Sequence, residues 1–120
     1  TEIHGRITVF TISISMDWQA LSPILVEYAV YVHVLEGDTI LHGQYDNDPT
    51  HMGRAIPTIF WAVGLPIYDA ATVTIDASTQ PGVYALKLGL YDRQTQSRLS
   101  VSLPDGTSSD GLVLAMITVK

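Results

Sequence analysis

The sequence contains no cysteine and few basic residues. The absence of cysteine excludes a disulfide framework, a thiolate zinc site and a cysteine nucleophile. Six Lys and Arg residues against twelve Asp and Glu residues give a net charge of −6. Binding to a phosphate backbone needs clustered positive charge, so we do not expect a nucleic-acid partner.

Long apolar runs are also missing. No window approaches the roughly 18 uninterrupted apolar residues of a transmembrane helix. Residues 1–6 lack the basic region and apolar core of a signal peptide. We therefore expect no direct membrane insertion of this segment. Because the chain begins with Thr1 rather than Met, we interpret it as a segment excised from a larger protein.

The residues that are present favour a single β domain. The chain has 120 residues, of which 47% are hydrophobic, enough for one core and too apolar for a disordered segment. β-branched and aromatic residues dominate, and Gly, Pro, Asn and Asp clusters recur every ten to fifteen residues. Neither an internal repeat nor a linker divides the sequence, so we expect one domain over residues 1–120.

Alternating apolar and polar positions predict about seven strands. They cover residues 7–14, 25–35, 40–45, 67–76, 83–91, 98–103 and 112–119. Seven antiparallel strands of this length are typical of an immunoglobulin-like or fibronectin-III-like β-sandwich. A Pro-Gly turn at Gly82 followed by Tyr84 predicts a tyrosine corner, in which the phenol hydroxyl bonds to backbone upstream.

The second and third strands raise the question of a metal site. A two- or four-residue turn around Gly37 predicts that His33 lies directly across from His42, with the Cβ atoms about 5 Å apart. Two imidazoles can share a divalent ion, but a closed zinc site needs two further ligands, which the neighbouring positions do not supply. The pattern favours two solvated histidines and no cofactor.

Residues 46–66 form a long connection, and long loops are common places for function. Asp46, Asp48 and Asp69 flank it and carry oxygen ligands that suit calcium, but we favour the alternative that these residues cap turns through their own side chains. Aromatic residues also border the loop. Sugar stacking with hydrogen-bonding carboxylates would use Tyr45, Trp61, Tyr68, Asp46 and Asp69. The alternative, which we favour, is that Trp18 and Trp61 close the ends of the sandwich.

No short catalytic motif occurs, neither a nucleophile elbow nor a zinc-protease helix nor a phosphate-binding loop, so we expect this segment not to be an enzyme. Two blocks of residues nevertheless form an ordered pattern. The first block is Asp46-x-x-Pro49, Gly53, Pro57-Thr58, Trp61, Gly64 and Asp69. The second is Pro81-Gly82-x-Tyr84-x-Leu86-x-x-Gly89-Leu90-Tyr91-Asp92 followed by Arg98-Leu99.

This pattern resembles the soluble C-terminal domain of bacterial multi-pass membrane proteins of the glycosyltransferase type, related to dolichyl-phosphate-mannose mannosyltransferases. The resemblance implies a β-sandwich on the extracytoplasmic face of a bacterial membrane, with the membrane-embedded remainder of the parent protein as its partner. It implies a non-catalytic accessory domain, with a carbohydrate-binding module that positions a glycan as the alternative. The chain departs from the pattern at Leu65, where the family suggests an acidic residue.

Overall fold

The computed structural model describes residues 10–120. They form ten strands and one short 3-10 turn, Thr58–Phe60. Six strands are long: β1 (Phe10–Gln19), β2 (Tyr28–Glu36), β3 (Ile40–Asn47), β6 (Pro66–Ile75), β7 (Gly82–Asp92) and β10 (Leu112–Val119). Two small hairpins complete the set: β4 (Thr50–His51) with β5 (Arg54–Ala55), and β8 (Val101–Ser102) with β9 (Ser108–Ser109).

The strands form the antiparallel sandwich that the sequence predicts. One sheet has four strands in the order β10-β7-β2-β3, and β1 pairs with β6 in the second. The sheets meet where β3 lies beside β6, and the Asp76 backbone N–H donates to the carbonyl of His42 over 2.7 Å.

Six of the seven predicted strands are present as long strands. Of the predicted strand over residues 98–103, only Val101–Ser102 is a strand, and Arg98 forms an isolated bridge with Tyr91. The predicted connection over residues 46–66 contains the β4–β5 hairpin and the 3-10 turn, which the sequence did not predict. β1 runs past its predicted end to Gln19, whereas residues 7–9 of that prediction lie outside the described residues.

The core lies between the two sheets and follows the predicted alternation. On β2, Val30, Val32 and Val34 are completely buried. Val73 and Ile75 of β6 face them, while Thr72 and Thr74, which alternate with these two residues, are exposed. Tyr84 is buried in the same core, and its hydroxyl donates to the carbonyl of Gln80, which is the tyrosine-corner arrangement. Among residues 10–120, no helix has the length and apolarity needed to span a bilayer.

The predicted register of the β2–β3 hairpin is wrong. Val34 pairs with Gly43 and His33 with Gln44, and a bulge then shifts the pairing so that Leu35 faces Leu41. The turn comprises three residues, 37–39, with Gly37 at φ 62°, instead of two or four, which shifts the pairing by one position. The bulge in β3 shifts it by one more. Neither the three-residue turn nor the bulge was part of the expectation.

Candidate functional site

The observed register of the β2–β3 hairpin separates the two histidines. His33 packs on the ring of Tyr31 at 4.7 Å, on the outer face of the four-stranded sheet. His42 instead contacts the ring of Tyr84, a core residue, at 4.9 Å, and hydrogen-bonds Glu36 at 2.8 Å. The pair therefore lies on opposite faces and shares no ion. No group of three or more His, Asp or Glu side chains within residues 10–120 is placed to hold a metal.

The aromatic residues expected to bind sugar do not form one platform. Trp61 is only 7% exposed, and its indole N–H donates to the carbonyl of Ile56. Tyr45 is half-buried against the main core. Tyr68 is half-exposed and stacks on His51 with ring centres 5.6 Å apart. Because the Trp61 ring is buried, the stacking site loses its largest surface.

Asp69 is also part of the packed structure. It is 3% exposed and accepts hydrogen bonds from the indole N–H of Trp18, from the backbone and hydroxyl of Thr50, and from the backbone of Ala70. Its carboxylate thus fastens β4 to β6 and orients Trp18. The geometry gives Asp69 a structural role, since its oxygens are already engaged by donors of the chain.

A polar cleft opens on the outer face of the four-stranded sheet, beside the polar segment that follows β7. Its volume is ≈ 290 Å³. It is lined by Tyr31, His33, Asp46, Tyr91, Gln96 and Arg98. We call this feature the outer cleft. It brings together Asp46 from the sugar hypothesis and His33 from the metal hypothesis, with four side chains to which the sequence reasoning assigned no site.

Tyr31 builds the floor of the outer cleft. It alternates with core valines on β2, so a solvent-facing position is expected, yet it is only 1% exposed. Gly89 of β7 and Gly111 before β10 leave the space for its ring, because a Cβ at either position would lie 2.2 Å from a Tyr31 atom. The Tyr31 hydroxyl donates to the carbonyl of Asp110 over 2.6 Å. This bond holds the segment between β7 and β10 over the sheet.

Arg98 covers the Tyr31 ring and forms one wall of the cleft. Its guanidinium lies 4.5 Å from the ring centre and donates to the Asp110 carboxylate at 2.9 Å. Lys87 donates to the other Asp110 oxygen at 2.5 Å. The hydrogen bonds from Lys87 and then Arg98 lower the pKa of Asp110, although slight burial opposes them. Both cations are therefore neutralised in part by one carboxylate.

His33 and Asp46 form the opposite wall. The His33 Nε2 atom lies 4.0 Å from an Asp46 carboxylate oxygen, and the His33 side chain is largely buried. Burial lowers the pKa of His33, the Asp46 carboxylate partly offsets this, and Arg98 and Lys87 lower it further. At neutral pH the imidazole is consequently uncharged, with one ring nitrogen able to donate and the other to accept.

Tyr91 and Gln96 complete the site from β7 and its following turn. The Tyr91 ring is half-buried, 6.4 Å from the ring of Tyr31, and burial followed by the nearby Asp46 charge raises the pKa of its hydroxyl. Gln96 has φ 64°, an uncommon left-handed conformation for a residue other than glycine. Tyr91 and Arg98 belong to the pattern quoted above, but no local signal in the sequence identifies Gln96.

The outer cleft can therefore bind a ligand by directed hydrogen bonds. It presents a carboxylate acceptor, a guanidinium donor and a neutral imidazole beside a partly exposed aromatic ring. Comparison with protein-family models, with curated proteins and with solved structures finds no match to this chain.

Proposed function

We propose that this domain is a non-catalytic carbohydrate-binding accessory module, and that its glycan ligand occupies the outer cleft. The observation that carries the proposal is a convergence of residues. Asp46 comes from the first block of the resemblance pattern, Tyr91 and Arg98 come from the second, and all three line the same ≈ 290 Å³ cleft. A shared ligand explains why two separate blocks meet at one place.

The chemistry of the cleft favours a sugar over a charged ligand. Lys87 and Arg98 both contact the Asp110 carboxylate, and Asp46 adds a second carboxylate, so two cations stand against two anions in and beside the cleft and neither sign of charge is in excess. A neutral polyol satisfies such donors and acceptors without adding an unpaired charge. The half-buried ring of Tyr91 supplies the apolar surface that a sugar face packs against.

The resemblance supplies the proposed context. We place the domain on the extracytoplasmic face of a bacterial membrane, attached to a membrane-embedded glycosyltransferase-like parent that carries out the chemistry elsewhere. In this arrangement the domain holds or positions a glycan acceptor. Its partners are then the parent protein and a glycan.

Binding is tested on the ¹⁵N-labelled chain with methyl α-D-mannopyranoside and with a glycan array. We expect the backbone amides of Tyr91, Gln96 and Arg98 to shift on titration. Asp46→Asn should weaken binding by about tenfold, which corresponds to about 1.4 kcal/mol. Asp38→Asn is the matched control, because Asp38 is an exposed carboxylate in the β2–β3 turn.

Two results would overturn the proposal. One is the absence of binding to the mannoside and to every glycan on the array. The other is equal binding by the Asp46→Asn and Asp38→Asn variants. Recovery of the bound sugar unchanged after long incubation is expected of a binding module, whereas its hydrolysis would contradict a non-catalytic role.

A further inference from the structure

A second depression adjoins the outer cleft where the β8–β9 hairpin meets the sheet. Its volume is ≈ 310 Å³, close to the ≈ 290 Å³ of the outer cleft. It is lined by Arg98, Ser100, Ser108, Ser109 and Asp110. We call it the serine depression. Arg98 lines both spaces, so its side chain forms the wall that they share.

The walls of the serine depression are held by hydrogen bonds within the chain. β8 and β9 pair antiparallel, and the Leu103 N–H closes the turn between them by donating to the Thr107 carbonyl over 2.8 Å. After β9, Asp110 accepts a hydrogen bond from Tyr31 through its carbonyl and one from Arg98 through its carboxylate. A ligand therefore meets an ordered surface, which lowers the entropic cost of binding.

The chemistry of the serine depression suits the hydroxyl groups of a sugar. Ser100 and Ser108 are exposed, and a serine hydroxyl both donates and accepts hydrogen bonds. The Arg98 guanidinium carries five N–H donors, and its hydrogen bond to Asp110 uses one of them. Because the Asp110 carboxylate offsets the positive charge of Arg98, an uncharged ligand fits this space as it fits the outer cleft.

We propose that the serine depression is a second sugar subsite, and that the domain binds a linear glycan of at least two units that crosses Arg98. This inference rests on the proposed function, because it assigns the outer cleft to the first sugar unit. Ligand pockets usually enclose roughly 300–1,000 Å³, so each space alone lies at the lower limit of that range. The two spaces together lie well within it.

The affinities of the ¹⁵N-labelled chain for methyl α-D-mannopyranoside and for mannobiose test the inference. We expect mannobiose to bind about tenfold more tightly, because its second unit gains hydrogen bonds that the monosaccharide cannot reach. The backbone amides of Ser108 and Ser109 should shift with mannobiose and not with the methyl mannoside. On the glycan array, disaccharides and longer glycans should give stronger signals than their terminal monosaccharides.

The double variant Ser100→Ala/Ser108→Ala separates the two subsites. It should weaken mannobiose binding by about fivefold and leave methyl mannoside binding within about twofold, since it removes hydroxyls only from the second subsite. Asp46→Asn should weaken the binding of both sugars. Ser13→Ala/Ser15→Ala is the matched control, because these exposed serines lie on β1 of the other sheet. Unchanged melting temperatures establish that the variants fold.

The possible failures of the inference and of the proposed function are distinct. The second subsite is overturned if mannobiose and the longer glycans of the array bind no more tightly than monosaccharides, or if the double serine variant weakens both sugars alike. In those cases the proposed function stands, provided that Asp46→Asn still weakens monosaccharide binding. If no glycan binds in solution or on the array, the proposed function and the second subsite are both wrong.

Discussion

The packing around Tyr31 leads to a prediction that distinguishes two glycines. A Cβ added at Gly111 would lie 2.2 Å from the Tyr31 hydroxyl oxygen. A Cβ added at Gly89 would lie 2.2 Å from the ring carbon Cε2, 2.5 Å from Cζ and 2.5 Å from the hydroxyl oxygen. The shortest contact of Gly111→Ala is thus with an atom that Tyr31→Phe removes, whereas Gly89→Ala also collides with two ring carbons that phenylalanine keeps.

The magnitudes follow from overpacking and from one hydrogen bond. Each alanine substitution alone should destabilise the fold by about 1–3 kcal/mol, because the ring must move in a closed site. Tyr31→Phe alone should cost about 1 kcal/mol, since the Asp110 carbonyl loses its donor. Near Gly111, the Lys87 side chain at 2.8 Å can move, but the Leu88 carbonyl at 3.0 Å limits full relief.

Urea unfolding of the singles and doubles measures the coupling between the sites. We expect Gly111→Ala/Tyr31→Phe to be more stable than the sum of its single effects by about 1 kcal/mol or more. Gly89→Ala/Tyr31→Phe should show a smaller coupling, because two ring carbons within 2.5 Å of the added Cβ remain. Equal coupling at both glycines, or additivity at both, would refute the placement of the Tyr31 hydroxyl beside Gly111.

Three further predictions concern stability. Burial lowers the pKa of His33, so below the ordinary value of 6.5 the unfolded chain binds a proton that the folded chain resists. Stability should therefore fall as pH drops below about 6.5, and urea unfolding of His33→Gln should show a flatter pH dependence over that window. Gly43→Ala places a Cβ 2.5 Å from the Thr74 carbonyl oxygen and should cost about 3 kcal/mol or more. Gly37→Ala meets no atom within 4 Å and should cost only about 1 kcal/mol for its positive φ, which makes it the control in a thermal melt. Asp69→Ala leaves four donor groups without their acceptor, so we expect a loss of about 3 kcal/mol in urea unfolding, and equal stability of the two proteins would contradict the buried role.

The sandwich could be predicted from the sequence because its strands alternate with period two. Val30, Val32 and Val34 occupy one face of β2, and the core assignment needs only that pattern. The register of the next strand could not be predicted, because the local composition gives no signal for the extra residue that the bulge near Leu41 adds to β3. The three-residue turn and the bulge together place Gln44 opposite His33, where His42 was expected.

The outer cleft was harder to predict because it depends on the path of a polar segment. Asp46 could be selected as a loop carboxylate, and His33 as a polar residue on a strand. Gln96 and Arg98 reach the same place only because the segment after β7 folds back over the sheet, through contacts between residues far apart in sequence. No periodicity or residue spacing in that segment predicts that it folds back over the sheet.

The outer cleft and the stability of the sheet therefore depend on the same residue. Gly89 and Gly111 leave the space that the Tyr31 ring occupies. The Tyr31 hydroxyl then holds the segment between β7 and β10 over the sheet through the Asp110 carbonyl. The space between that segment and β3 is the outer cleft. Substitutions at either glycine should reduce stability and ligand binding together, because they displace the wall that carries Arg98. A substitution at Asp46, whose side chain lies at the open rim and supports no buried contact of the core, should reduce binding while leaving stability almost unchanged. That separation distinguishes a ligand-binding cleft from a surface depression left by packing alone.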